Sequence, residues 1–216
     1  MGKRKPDELV AELGASILNG DLPPGSRLTE VELARQLQVN RAPLREALFR
    51  LEERQLIERT PYSGMRVATL SKADLYDLYE VRELLEGRAA RKAAELATQN
   101  DIDGLQRIVE ESDAYVKEII GRSDYDARAR PAAGDFHTEI ARISGNAEIR
   151  RLLGREVWKF IRIAHFRWTR TPERLLQGVE EHRSVVRAIA GRDPELAEIL
   201  MIRHIRSARD GLIPSE

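Results

Sequence analysis

The chain has 216 residues, 42% hydrophobic and 33% charged, with 36 basic and 36 acidic side chains and a formal net charge of zero. That size suits one large domain or two small ones with a true core. The absence of cysteine excludes disulfides and thiolate metal centres, and no stretch reaches the roughly 18 apolar residues that a membrane helix needs. The charged start MGKRKPDELV is not followed by the apolar run of a secretory signal, so a soluble, cytoplasmic protein with no membrane partner is expected. A neutral total still permits a basic patch: between Arg35 and Arg66 seven basic residues stand against four acidic ones.

In chain order, residues 7–20 predict a helix with Leu9, Val10, Leu13, Ile17 and Leu18 on its apolar side, stopped at Asn19-Gly20 by a left-handed cap. DLPPGSRL then forces a turn before a short strand at Arg27-Leu28. Thr29, with Glu32 three residues on, opens the next helix as a capping box. Residues 30–53 read as helix, turn, helix. Val31, Leu33, Ala34 and Leu37 mark one apolar face, and Leu44, Ala47, Leu48 and Leu51 mark the other. Gln38-Val39-Asn40 has room only for a turn, so the helices cross steeply, as in the helix-turn-helix that places its second helix in a DNA major groove. The exposed N-terminal positions of that helix are Asn40, which can also cap it, Arg41, Ala42 and Arg45. Arg41 and Arg45 share a face, and an arginine in the groove can bond guanine O6 and N7 together. An ordinary helical hairpin with solvated arginines remains the alternative at this point.

Leu56–Arg59 and Met65–Ala68 predict two short strands around the turn Pro61–Gly64. A hairpin directly after such a helix reads as a wing, whose tip residues Ser63, Gly64 and Arg66 can lie along phosphates or enter the minor groove. The alternative is a plain hairpin that only closes a small core.

The stretch from ILNGDLPPGSRLTEVELA through RAPLREALFRLEE to SGMRVATLS resembles the winged-helix domain of GntR-type bacterial transcription regulators. The resemblance rests on the PG turn, the L-x-E-x-x-LA segment, the R-x-PLREAL helix and the G-x-x-V wing, in that order. It maps the family's recognition-helix arginines onto Arg41 and Arg45 and its wing glycine onto Gly64. Asn40 stands where the family commonly has Ser or Thr.

Thr69-Leu70-Ser71 marks the expected boundary, giving a DNA-binding domain over 1–70 and an all-helical domain over 71–216. The overall expectation is a mainly α fold, a winged helix-turn-helix followed by a bundle of six or seven helices. Ser71 with Asp74 caps a helix over 72–98 whose apolar row runs Leu75, Leu78, Arg82, Leu85, Ala89, Ala93 and Leu96. A buried Arg82 must meet an internal carboxylate or an anionic ligand. Further helices are predicted from Asn100-Asp101 to about Gly121, over DFHTEIARISGN, and over about 147–170, 173–190 and 194–211. Breaks fall at residues 122–134, Thr171-Pro172 and Gly191–Pro194.

Three of the four histidines lie on apolar faces of three different helices: His137 with Ile140 and Ser144, His182 with Val185, Val186 and Ile189, and His204 with Leu200, Met201 and Ala208. A single such histidine is usually a core residue, but imidazoles converging in a bundle commonly hold Zn²⁺ or another divalent transition metal. YEVRELLEGRAARKAA, DFHTEIARISGN, EHRSVVRAIAGRD and MIRHI also resemble the FCD domain of the fatty-acid-regulator-like branch of the GntR family. That resemblance implies His137, His182 and His204 as metal ligands, and Arg82 and Asn146 at the effector pocket. It further implies a homodimeric regulator, mostly repressing, that binds a double-stranded, pseudo-palindromic operator and answers to a small organic acid. The sequence departs from the pattern four residues before His137, where Ala133 replaces the usual Asp ligand. Asp135 points elsewhere on a regular helix, and His165 lies in line with Ile161 and Trp168. Two other function classes fit parts of the chain. A metalloenzyme would use a three-His site, but no carboxylate is placed beside it as a general base. An architectural DNA-binding protein without effector would leave the second domain unexplained.

Overall fold

The computed structural model describes residues 4–60, 64–121, 133–157, 160–161 and 171–212, apart from the side chains of residues 60, 133–135, 155–156 and 212. Two compact units emerge, one built mainly on Met1–Leu70 and the other on Ser71–Trp158 and Trp168–Glu216.

In the first unit, helix α1 (Pro6–Asn19) is followed by strand β1 (Arg27–Leu28), helices α2 (Glu30–Gln36) and α3 (Arg41–Glu53), and strands β2 (Ile57–Thr60) and β3 (Gly64–Val67). Gly20 ends α1 at φ 87°, a left-handed cap open to a residue without a Cβ. Thr29 accepts from the Glu32 amide to start α2. The turn into α3 runs through Gln38 at φ 54°. The strands form one antiparallel sheet in the order β1-β3-β2, with Arg27 opposite Arg66 and Glu58 also opposite Arg66. Leu9, Leu13, Ile17, Leu44, Leu48, Leu51, Met65 and Val67 close the core. Each such large apolar side chain stabilises the unit by about 1.5–3 kcal/mol. Phe160, from much later in the chain, packs against this same core.

The second unit contains α4 (Lys72–Leu96), α5 (Gln99–Ile120), α6 (Ala133–Ile143), α7 (Ala147–Arg151), α8 (Pro172–Ala190) and α9 (Pro194–Leu212). Ser71 and Thr98 cap α4 and α5 through reciprocal boxes with Asp74 and Asp101. The expected single helix after residue 147 is not regular: α7 passes into π-helical turns over Leu152–Val157.

Helix α4 corrects the predicted row. Its buried side is Leu75, Tyr79, Arg82, Glu86, Ala89, Ala90, Ala93 and Ala94, while Leu78 and Leu85 are only half-buried and Leu96 is exposed. A helix of 25 residues drifts off a fixed spacing, and the row of large side chains gives way to alanines where neighbouring helices come close. The closest approach is at Gly87, where an added Cβ would lie 2.8 Å from Ile202 of α9. That crossing brings α9 and His204 against α4.

Candidate functional site

In the first unit the core side of α3 turns Arg41, Ala42 and Arg45 outward, and all three are exposed. Asn40 holds the N-cap position with extended backbone, yet its side chain makes no cap hydrogen bond. Pro43 at the third helical position removes one of the two amides that such a cap could accept. Arg45 is not a solitary cation. Its Nε and Nη2 donate to Glu30 on α2 at 3.2 and 3.0 Å. That hydrogen bond, with the nearby charges of Arg45, Arg59 and Arg41, holds the Glu30 carboxyl below its ordinary range against the opposing effect of burial. Gly64 opens β3 at φ 79°, and among the described residues a Cβ there would meet nothing closer than Arg27 Nε at 4.0 Å. Arg66 is half-buried and spends one donor on the Gly25 carbonyl at 3.1 Å. Ser63 lies outside the described residues.

The second unit brings its three histidines together. His137 on α6, His182 on α8 and His204 on α9 are 3%, 4% and 5% exposed. One ring nitrogen from each falls within 4.8 Å of the others. The Nε2 atoms of His182 and His204 are 3.1 Å apart. Phe136 stacks on His182 with ring centres 4.0 Å apart, fixing that ring from the apolar side.

Arg82 is buried beside Tyr79, its guanidinium carbon 4.8 Å from the ring centre, and its Nε donates to Glu86 Oε1 at 2.6 Å. Of the two partners open to Arg82, an internal carboxylate is thus present. Glu86 Oε2 in turn meets His137 Nδ1. Burial alone would raise the Glu86 carboxyl, but the charge of Arg82 and the hydrogen bonds from His137 and Arg82 win and hold it at about 2. On the other side, Glu181 Oε2 meets His204 Nδ1 at 2.7 Å and receives Arg174 Nη2 at 2.8 Å. Burial lowers His204 to about 4, despite Glu181, so its imidazole is neutral at pH 7.

This donor set fits a divalent transition metal. The ligands are nitrogen, and His204 is uncharged. Tetrahedral Zn–N bonds need nitrogens about 3.3 Å apart. The 3.1 Å pair is close to that spacing, and all three nitrogens lie within 4.8 Å of one another. Held by these three histidines, such an ion would supply Lewis acidity toward an anion. Ala133 adds no ligand one turn before His137 in α6. The Asp135 side chain and all of His165 fall outside the described residues.

Asn146, implied at the effector pocket, is half-buried and caps α7: its Oδ1 accepts from the amides of Glu148 at 3.0 Å and Ile149 at 3.1 Å. Sequence reasoning missed Glu86, Glu181 and Arg174. A glutamate on a helix usually reads as solvated, but Glu86 stands four residues after a buried arginine, where an internal counter-ion can reach. Glu181 directly precedes His182 and carries no such mark.

Comparison with known proteins agrees with this architecture. Residues 5–67 match the family described as bacterial regulatory proteins, gntR family, and residues 77–207 match the FCD domain. The chain is 32% identical over 190 residues to the Nta operon transcriptional regulator of Aminobacter aminovorans, covering 88% of this chain and 86% of the relative. It is 33% identical over 192 residues to a probable D-xylose utilization operon transcriptional repressor of Paenarthrobacter nicotinovorans, covering 88% and 80%. The fold matches the crystal structure of a putative transcriptional regulator GntR from Rhodococcus sp. RHA1 at TM-score 0.79 and 22% identity, covering 98% of both chains. A winged unit with an arginine-bearing second helix, joined to an FCD bundle, identifies the chain as a transcription regulator of the GntR family.

Proposed function

We propose that this regulator, which is not an enzyme, acts as a homodimeric repressor on a pseudo-palindromic double-stranded operator and is released by a small carboxylate. A named repressor among its relatives favours that sign of control. In each protomer α3 enters the major groove. Arg41 and Arg45 read guanine edges, Asn40 and Ala42 lie against the same bases or phosphates, and Ser63, Gly64 and Arg66 follow the adjacent backbone. Arg66 keeps donors beyond the one spent on Gly25.

His137, His182 and His204 hold a divalent metal such as Zn²⁺, and the effector carboxylate takes its open position. Arg82 can share its guanidinium between Glu86 and that carboxylate. Asn146 is retained as an effector contact on family resemblance alone, with its amide nitrogen as the free end after the oxygen caps α7. The observation that carries this reading is the convergence of three buried imidazole nitrogens from three helices. An effector that prefers one arrangement of the two winged units shifts operator affinity by the same coupling free energy.

Two measurements test it. Elemental analysis of the purified protein should find close to one ion per chain, lost in His182→Ala. No metal after incubation with Zn²⁺ or Ni²⁺ would remove the metal from the mechanism. On an operator selected from random DNA, Arg41→Ala should cost about 1–3 kcal/mol and relax the preferred sequence. Equal binding by wild type, Arg41→Ala and Arg45→Ala would make the recognition-helix assignment wrong.

A further inference from the structure

The histidine cluster is backed by two relays of the same construction. In the first, Arg82 Nε donates to Glu86 Oε1 and Glu86 Oε2 meets His137 Nδ1. In the second, Arg174 Nη2 donates to Glu181 Oε2, and the same oxygen meets His204 Nδ1 at 2.7 Å. Each carboxylate bridges one arginine to one histidine. The two relays come from different helices: the first from α4 to α6, the second from α8 to α9.

An ionised carboxylate only accepts, so each Nδ1 must carry the hydrogen, which in the neutral imidazole leaves Nε2 with its lone pair. His204 Nε2 is turned to the cluster, 3.1 Å from His182 Nε2. The Nδ1–H form is the tautomer a metal ion requires, and hydrogen-bonded carboxylates behind histidines fix ring orientation and raise ligand basicity. The second relay has room prepared for it. Arg174 Nε also donates to the Ser207 carbonyl, and a Cβ at Gly211 would fall 2.9 Å from the Arg174 side-chain carbons. The two relays differ in access. Glu86 is sealed at 2% exposure, whereas Glu181 borders a cavity of about 300 Å³ between α8 and α9.

We propose that Glu86 and Glu181 are the positioning residues of the metal centre and that they place its carboxylate charge behind the ligands. This rests on the metal reading given above. Ala133 contributes no charge beside the ion, and Arg82 and Arg174 neutralise the two glutamates. The ion therefore keeps its full positive charge toward the open position, where an anionic effector binds.

The test joins two readouts on the full-length protein. In the metal-free wild type, long-range proton–nitrogen spectra of the imidazoles should show the Nδ1–H tautomer at His137 and His204. Zinc affinity, measured by competition with a chromophoric chelator, should fall 10–100-fold in Glu86→Gln and in Glu181→Gln. The absorption of Co²⁺ bound to each variant should change shape. Glu181→Gln, at the accessible relay, keeps the test usable if Glu86→Gln unfolds beside its buried arginine. Nε2–H tautomers at His137 and His204, or wild-type zinc affinity in Glu181→Gln, would overturn the assignment. A wild type that takes up no zinc would overturn the metal reading and the assignment together.

Discussion

Arg45, proposed above as a recognition side chain, is held by a carboxylate of its own unit. Its guanidinium is held by Glu30, so an isolated winged unit shows one fewer unpaired positive charge to phosphates. A guanine edge offers two acceptors in the plane of the fork, whereas a phosphate presents a diffuse charge. Glu30 thus taxes non-specific contact. Glu30→Gln should strengthen binding to random-sequence DNA several-fold and narrow the gap between random and cognate DNA, as read by fluorescence anisotropy across a salt series. An unchanged gap would mean that the pair is only a surface contact. The exposure of Arg41 and Arg45 was legible in the sequence because the pair stands at i and i+4 away from the apolar row of α3. Their partner was not, because Glu30 lies 15 residues away and meets Arg45 only through the helix crossing.

At the scale of elements, the capping chemistry was legible and the packing face was not. Ser71 with Asp74 and Thr98 with Asp101 start α4 and α5 as local rules dictate. The true buried row of α4 depends on its neighbours, and the π-helical turns over Leu152–Val157 have no signature in residue spacing. Asp101 is held at about 2, first by its hydrogen bonds with Thr98 and then by Arg142 from α6. The folded state therefore favours its ionised form. Its contribution is complete above the unfolded value near pH 4 and is lost as pH falls toward 2. Asp101→Asn should lower the urea midpoint at pH 7, and its deficit against wild type should shrink steadily below pH 4. A deficit independent of pH would assign the loss to packing.

For the whole molecule, an ion held by the proposed histidines of α6, α8 and α9 would cross-link the second unit. Any ligand that prefers the native state stabilises it by RT ln(1 + [L]/Kd), about 2.7 kcal/mol at a hundredfold excess over Kd. Chelation should therefore lower the melting transition of the bundle by several degrees and leave the transition of the winged unit in place. One transition insensitive to chelator would exclude such a cross-link. A boundary near Leu70 was expected from the end of the strand signals, and a histidine cluster from three apolar faces. The contribution of Phe160 to the winged core was not, because a lone aromatic in a helical stretch carries no address. Its position sets an order of events during synthesis. Chains emerge from the ribosome from the N-terminus, and early domains normally fold first. Here the DNA-reading unit waits for a side chain made after α4 through α7, so its last piece arrives when only α8 and α9, with two of the three histidines, remain to be translated.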